Sequence, residues 1–194
     1  MKLRQTIIGI VAGVFFVLGS VAQAQVLPKF GVKAGANYST FNNTDNVEYK
    51  AGFVGGIYSS IKVPASPLTI QPEVLYAQYG AGIENSDAWF RVNYLQIPVL
   101  LKFGFNTPGV QPNVFFGPYM GINLNSEVKN ESGSINLDDQ AEGTDFGIAV
   151  GAGLDISKFS LGLRYTAGLK DVANDNFNDE AKNGAFALTV GIEF

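Results

Sequence analysis

AFALTVGIEF, residues 185–194, alternates without a break. Phe186, Leu188, Val190, Ile192 and Phe194 are bulky and apolar, while Ala185, Ala187, Thr189, Gly191 and Glu193 are small or polar. Successive side chains on a strand point to opposite faces, so a period of two gives one apolar face and one polar face. The pattern recurs upstream. Phe146, Ile148, Val150, Ala152, Leu154 and Ile156 oppose Asp145, Gly147, Ala149, Gly151, Gly153 and Asp155. Leu161, Leu163, Tyr165, Ala167 and Leu169 oppose Gly162, Arg164, Thr166, Gly168 and Lys170. Near the front, Val32, Ala34, Ala36 and Tyr38 oppose Gly31, Lys33, Gly35, Asn37 and Ser39.

Four more segments, about 51–63, 68–79, 89–105 and 112–124, alternate less cleanly and bring the set to eight. Each can supply the roughly 9–11 residues that a tilted strand needs to cross a bilayer. Pro72, Pro98, Pro112 and Pro118 fall inside these segments. A closed sheet has no free edge for a missing N–H, so bulges or strand ends are expected there. The links after strands two, four and six are short: Pro64–Pro67, Asn106–Gly109 and Ser157–Lys158. The links after strands one, three, five and seven are expected to be longer. Two of them, about 125–143 and 171–183, are strongly acidic.

The predicted fold is all-β: an eight-stranded antiparallel up-and-down transmembrane β-barrel, preceded by a cleavable signal peptide. Lys2 and Arg4 precede an apolar run from Ile7 to Leu18, and Ala22-Gln23-Ala24 offers the small residues of a cleavage site before Gln25. Residues 1–24 are read as the leader and 25–194 as one barrel domain. A retained N-terminal anchor is the alternative, although the run is short for a spanning helix. Cleavage would leave 170 residues with 11 basic and 17 acidic groups, a net charge of −6. That balance excludes nucleic acid as an expected partner.

The patterning decides which face meets lipid. Leu, Ile, Val, Phe and Tyr would face outward, and the small and polar parity would fill a narrow interior. A closed barrel satisfies every backbone group without water. Lys33, Glu73, Lys102, Asp145, Asp155, Arg164 and Glu193 fall on the polar parity and form the candidate lumen charge network. Because side chains fill barrels of this strand number, a closed polar core is favoured over a charge-lined conduction path. Phe30, Tyr38, Phe41, Trp89, Phe103, Phe105, Phe159 and Phe194 lie near strand ends, where interfacial aromatic girdles would sit, or pack as ordinary strand residues.

The sequence also resembles a known family. FGVKAGANYSTF from Phe30, GFVGGIYSSI from Gly52, IQPEVLYAQYG from Ile70, YLQIPVLLKF from Tyr94, NVFFGPYMGINL from Asn113 and ALTVGIEF from Ala187 carry the likeness. It is to the outer-membrane β-barrel domain proteins abundant in Bacteroidota, the porin-family or PorT-like group, with OmpA/OmpX-like architecture. The resemblance implies a monomeric multi-pass barrel in the outer membrane, with lipid around it and both termini in the periplasm. A few members resemble components of protein secretion or cell-surface assembly. The stripe Phe186, Leu188, Val190, Ile192, Phe194 looks like the recognition signal for barrel-assembly machinery.

Several function classes are constrained by composition. The chain contains neither His nor Cys, so imidazole and thiol catalysis are excluded and no enzyme activity is expected. Asp138, Asp139 and Glu142 read as solvated loop charge. Asn174, Asp175, Asn178, Asp179 and Glu180 match no calcium-loop spacing, and neither metal nor cofactor is expected. The expected role is structural, surface-interacting or envelope-assembling, with any unknown envelope or extracellular protein partner meeting the loops. The alternatives are a narrow porin-like channel for small solutes or cations and, behind it, an outer-membrane enzyme.

Overall fold

The computed structural model describes residues 27–42, 47–83, 89–105, 107–130, 133–136, 144–169 and 182–194. The residues read as a cleavage site, Ala22, Ala24 and Gln25, lie outside these, as do Asp138, Asp139, Glu142 and the 174–180 cluster.

Among the described residues there are nine strands: β1 (Lys29–Asn42), β2 (Val47–Lys62), β3 (Leu68–Ile83), β4 (Trp89–Gly104), β5 (Gln111–Asn130), β6 (Gly133–Asn136), β7 (Thr144–Ile156), β8 (Phe159–Gly168) and β9 (Lys182–Glu193). Eight of them form a closed antiparallel ring in the order β4-β3-β2-β1-β9-β8-β7-β5, and β4–β5 pairing completes it. Short β6 is the addition. It pairs only with the far end of β5, through Glu127↔Asn136 and Val128↔Ile135. Residues 125–143 are therefore not one long loop, because β5 runs on to Asn130 and folds back as a ribbon.

Two of the expected long loops also shrink. Only residues 43–46 separate β1 from β2, and only 84–88 separate β3 from β4. The strands lengthen instead. β2, β3 and β4 each hold 16 residues and β5 holds 20, more than a crossing requires. The asymmetry between the two ends comes from projecting strands as much as from loops. At the opposite end the turns are tight. Ile156 pairs with Phe159 across Ser157 and Lys158, and Ser157 alone takes a positive φ, 56°, as the first central residue of a type II′ hairpin does.

None of the four prolines sits at a bulge. The register shifts lie at Tyr49/Val54 and Asn93/Tyr94. Pro72 pairs with Val99 and Leu75 with Gln96, so the register is kept across the proline while the pairing between them lapses. The same happens between Pro98↔Tyr119 and Leu101↔Phe116. Pro112 is one residue from the start of β5, and Pro118 stays in register opposite Ile148. Losing a donor locally is tolerated here because the flanking pairs fix the alignment.

Outward residues form the apolar surface. Phe30, Val32, Ile57, Val99, Phe116, Ile148, Val150, Leu163, Leu188 and Val190 are all exposed. Aromatic rings gather at two levels of it. At the tight-turn end, Phe194 N–H donates to Phe30 O (2.9 Å), and Phe159 pairs with Ile192. Eight residues up the strands, Tyr38 pairs with Phe186 and Phe186 with Tyr165, the last two rings being 4.7 Å apart. Two girdles bounding an apolar band are the mark of a membrane barrel.

The inside departs from the expected small and polar filling. Leu75, Tyr79, Val92, Tyr94 and Leu100 on β3 and β4 are buried on the inward parity. The facing walls are thin: β7 contributes Gly147, Ala149, Gly151 and Gly153, and β9 contributes Ala185 and Ala187. Bulk on one wall fills the space that glycine leaves on the other, as close packing requires. Tyr58, Phe115 and Tyr119 each lie over the glycine directly paired with them, Gly31, Gly151 and Gly147. A Cβ on Gly147 would stand 2.5 Å from Tyr119 Cε1. Gly147→Val is therefore expected to cost about 1–3 kcal/mol by overpacking, read as a lower urea midpoint of the refolded barrel.

Candidate functional site

All seven charged residues of the polar parity point into the lumen, and they fall in three groups along its axis. Glu73 on β3 is the hub of the middle group. Lys33 Nζ from β1 donates to its Oε1 at 2.5 Å, and Arg164 Nη2 from β8 donates to Oε2 at 2.6 Å. Gln71 Nε2 is the third donor to the carboxylate, 2.7 Å from Oε1. Glu73's side chain is wholly enclosed, and those of Lys33 and Arg164 are 9% and 6% exposed. A buried carboxylate of this kind is tolerable only with both oxygens bound. The cations have aromatic company as well: Lys33 Nζ lies 4.8 Å from the Tyr58 ring centre and the Arg164 guanidinium 5.7 Å from that of Phe115.

Towards the tight turns, Lys102 on β4 pairs with Asp155 on β7 at 2.8 Å, and Asn113 Nδ2 donates to the same carboxylate at 3.1 Å. Lys29 and Glu193 pair at the rim, 2.9 Å apart. Towards the projecting strands, Tyr119 O–H donates to Asp145 at 3.0 Å. Beside them Gln96 Nε2 donates to the Tyr79 hydroxyl (2.6 Å), which is 3.2 Å from Thr166 Oγ1.

Two cavities are lined by the described residues named here. One of about 690 Å³ runs from the turn residues Pro64–Pro67 and Ser157–Lys158 inward to Tyr58 and Lys102. The other, about 10 Å³ between Asn37, Gln96, Arg164 and Thr166, has room for about one water. The Glu73 group stands between them. Among the described residues no cluster of three metal-ligating side chains occurs. Gln71, Tyr58, Phe115, Asn113 and the Tyr79 group were not singled out from the sequence. Their inward parity was the available signal, but attention to charge alone passes over them.

The tight-turn half carries a net positive charge. Lys29, Lys33, Lys62, Lys102, Lys158 and Arg164 face Glu73, Asp155 and Glu193 in the lower half, a balance of +3. Fourteen acidic and five basic residues make up the rest of the chain beyond residue 24, a balance of −9.

Residues 23–174 match the family model described as the outer membrane protein beta-barrel domain. The chain belongs to that family. It is an integral outer-membrane barrel, as the closed ring and its lipid-suited surface require. This outer membrane protein beta-barrel domain is similar in fold to the crystal structure of Neisserial surface protein A, with a TM-score of 0.52 at 18% identity, over 85% of this chain and 97% of the other. Ail, the attachment invasion locus protein of Yersinia pestis, aligns at a TM-score of 0.47 and 15% identity over 86% of this chain and 99% of its own. The N-terminal barrel of Pseudomonas aeruginosa OprF aligns at 0.42 and 14% over 87% and 100%. No curated protein sequence matches the chain.

Proposed function

We propose that this barrel is a closed, non-enzymatic scaffold with a structural, surface-interaction or envelope-assembly role, closer to the PorT-like group than to solute-passing porins. The observation that carries the reading is Glu73, fully enclosed in mid-lumen with both oxygens held by cations from two other strands. Ion flow past it would have to break charge-assisted bonds that already satisfy one another. The same mutual engagement argues against catalysis, since the carboxylates of Glu73, Asp145 and Asp155 are each bound to a neighbouring side chain, Asp155 doing so at the border of the larger cavity.

In this reading the barrel is monomeric, the tight turns and both termini face the periplasm, and the acidic projecting end faces outward. Any partner protein meets the projecting strands and their connections, and the outward stripe of β9 docks on the barrel-assembly machinery. Recording across planar lipid bilayers tests the closed lumen. Purified protein is expected to give no stable conductance steps, and reproducible cation-selective steps would overturn the proposal.

A further inference from the structure

The 690 Å³ cavity is the size of a small-molecule site. It is also the positive end of a molecule that is otherwise acidic. Lys29, Lys62, Lys102 and Lys158 line it with Asp155 and Glu193, a balance of +2. Lys29 and Lys102 are engaged by the two carboxylates. Lys62 and Lys158 have no ion-pair partner among the described residues, and they flank the cavity mouth from the β2 and β7–β8 ends.

The floor reinforces the sign. Below Tyr58 lies Lys33, part of the Glu73 group, which holds two cations and one carboxylate. Low-dielectric walls around a lining of net positive charge focus the field along the axis. The remaining polar lining is rich in hydroxyls, among them those of Ser60, Thr69 and Ser157, with Tyr58 and Ser160 bonded to one another.

We propose that this cavity binds a small phosphate-bearing anion. A phosphate monoester carries about −1.5 to −2 charges near neutral pH and presents acceptor oxygens, which matches two unpaired ammonium groups set among hydroxyl donors. The source is a soluble phosphate compound or the headgroup of a phosphomonoester lipid, and the chemistry is shared.

The test uses residues 25–194, refolded in zwitterionic detergent at low salt, with pyrophosphate as the calorimetric probe. Saturable one-to-one binding that weakens as salt is raised is expected. Lys62→Gln with Lys158→Gln is expected to weaken it about tenfold, equivalent to ~1.4 kcal/mol. Lys50→Gln with Lys182→Gln, which removes the same charge at the opposite end, should leave it within about twofold. Doping the micelles with short-chain phosphatidic acid separates the sources: displacement of pyrophosphate identifies a headgroup ligand, and undisturbed binding identifies a solute. Absence of saturable binding, or equal weakening by the two double variants, would overturn the proposal.

Discussion

Glu73→Ala is expected to destabilise the folded barrel by about 3–5 kcal/mol, the cost of leaving buried charge uncompensated. Two cations, not one, lose their partner. Lys33 and Arg164 are nearly enclosed, stand on different strands, and are held apart by the carboxylate between them. Urea unfolding of the refolded protein, followed by tryptophan fluorescence, measures the loss. The companion variant separates the pair from its site. Replacing the whole group (Lys33→Met, Glu73→Leu and Arg164→Met) removes the charges together and should recover most of the stability, because apolar replacements of buried ion groups are often neutral. A loss below about 1 kcal/mol for Glu73→Ala would reduce the group to the standing of an exposed pair.

The second large effect concerns the outside. Val190 is exposed, lies four residues from each of Phe186 and Phe194, and pairs with Ala34 and Leu161. That places it midway between the aromatic levels. Val190→Arg is expected to cost about 2–4 kcal/mol in lipid vesicles, and Phe194→Arg only about 0–1. Urea titrations in vesicles would give both numbers. Equal costs at the two positions would mean that the aromatic levels do not bound the apolar band.

Legibility in the sequence followed contrast between the two faces. On β7, β8 and β9 the inward side is mostly Gly, Ala, Ser and Thr, so period two stands out and the strands read almost to their ends. On β3 and β4 the inward side carries Leu75, Tyr79, Tyr94 and Leu100, as bulky as the outward side. Alternation fades there for a physical reason: this wall fills the space left by the glycines of the other. The β5–β6 ribbon was hidden because Val128 and Ile135 are its only two bulky apolar residues along 125–130 and 133–136, too few to mark a parity.

Parity placed the lumen charges, but it could not choose partners among them. Lys33 and Arg164 lie 40 and 91 positions from Glu73, and only ring closure brings them together. The neutral members of the network, Gln71 and Asn113, were obscured by the same geometry. Each becomes visible only once its strand's neighbours are known.

The seam between β1 and β9 has a bearing on how the molecule comes to exist. Lys29 and Glu193, joined there, are 164 positions apart, so closing that contact costs chain entropy on the order of 5 kcal/mol before any pairing offsets it. Such a high contact order makes folding slow. While the seam is open, β1 and β9 each present a bare row of backbone donors and acceptors, a template for pairing with other chains. The nascent polypeptide therefore depends on being kept apart from its own copies until the last strand arrives. The stage most exposed to failure is transit, before the ring exists.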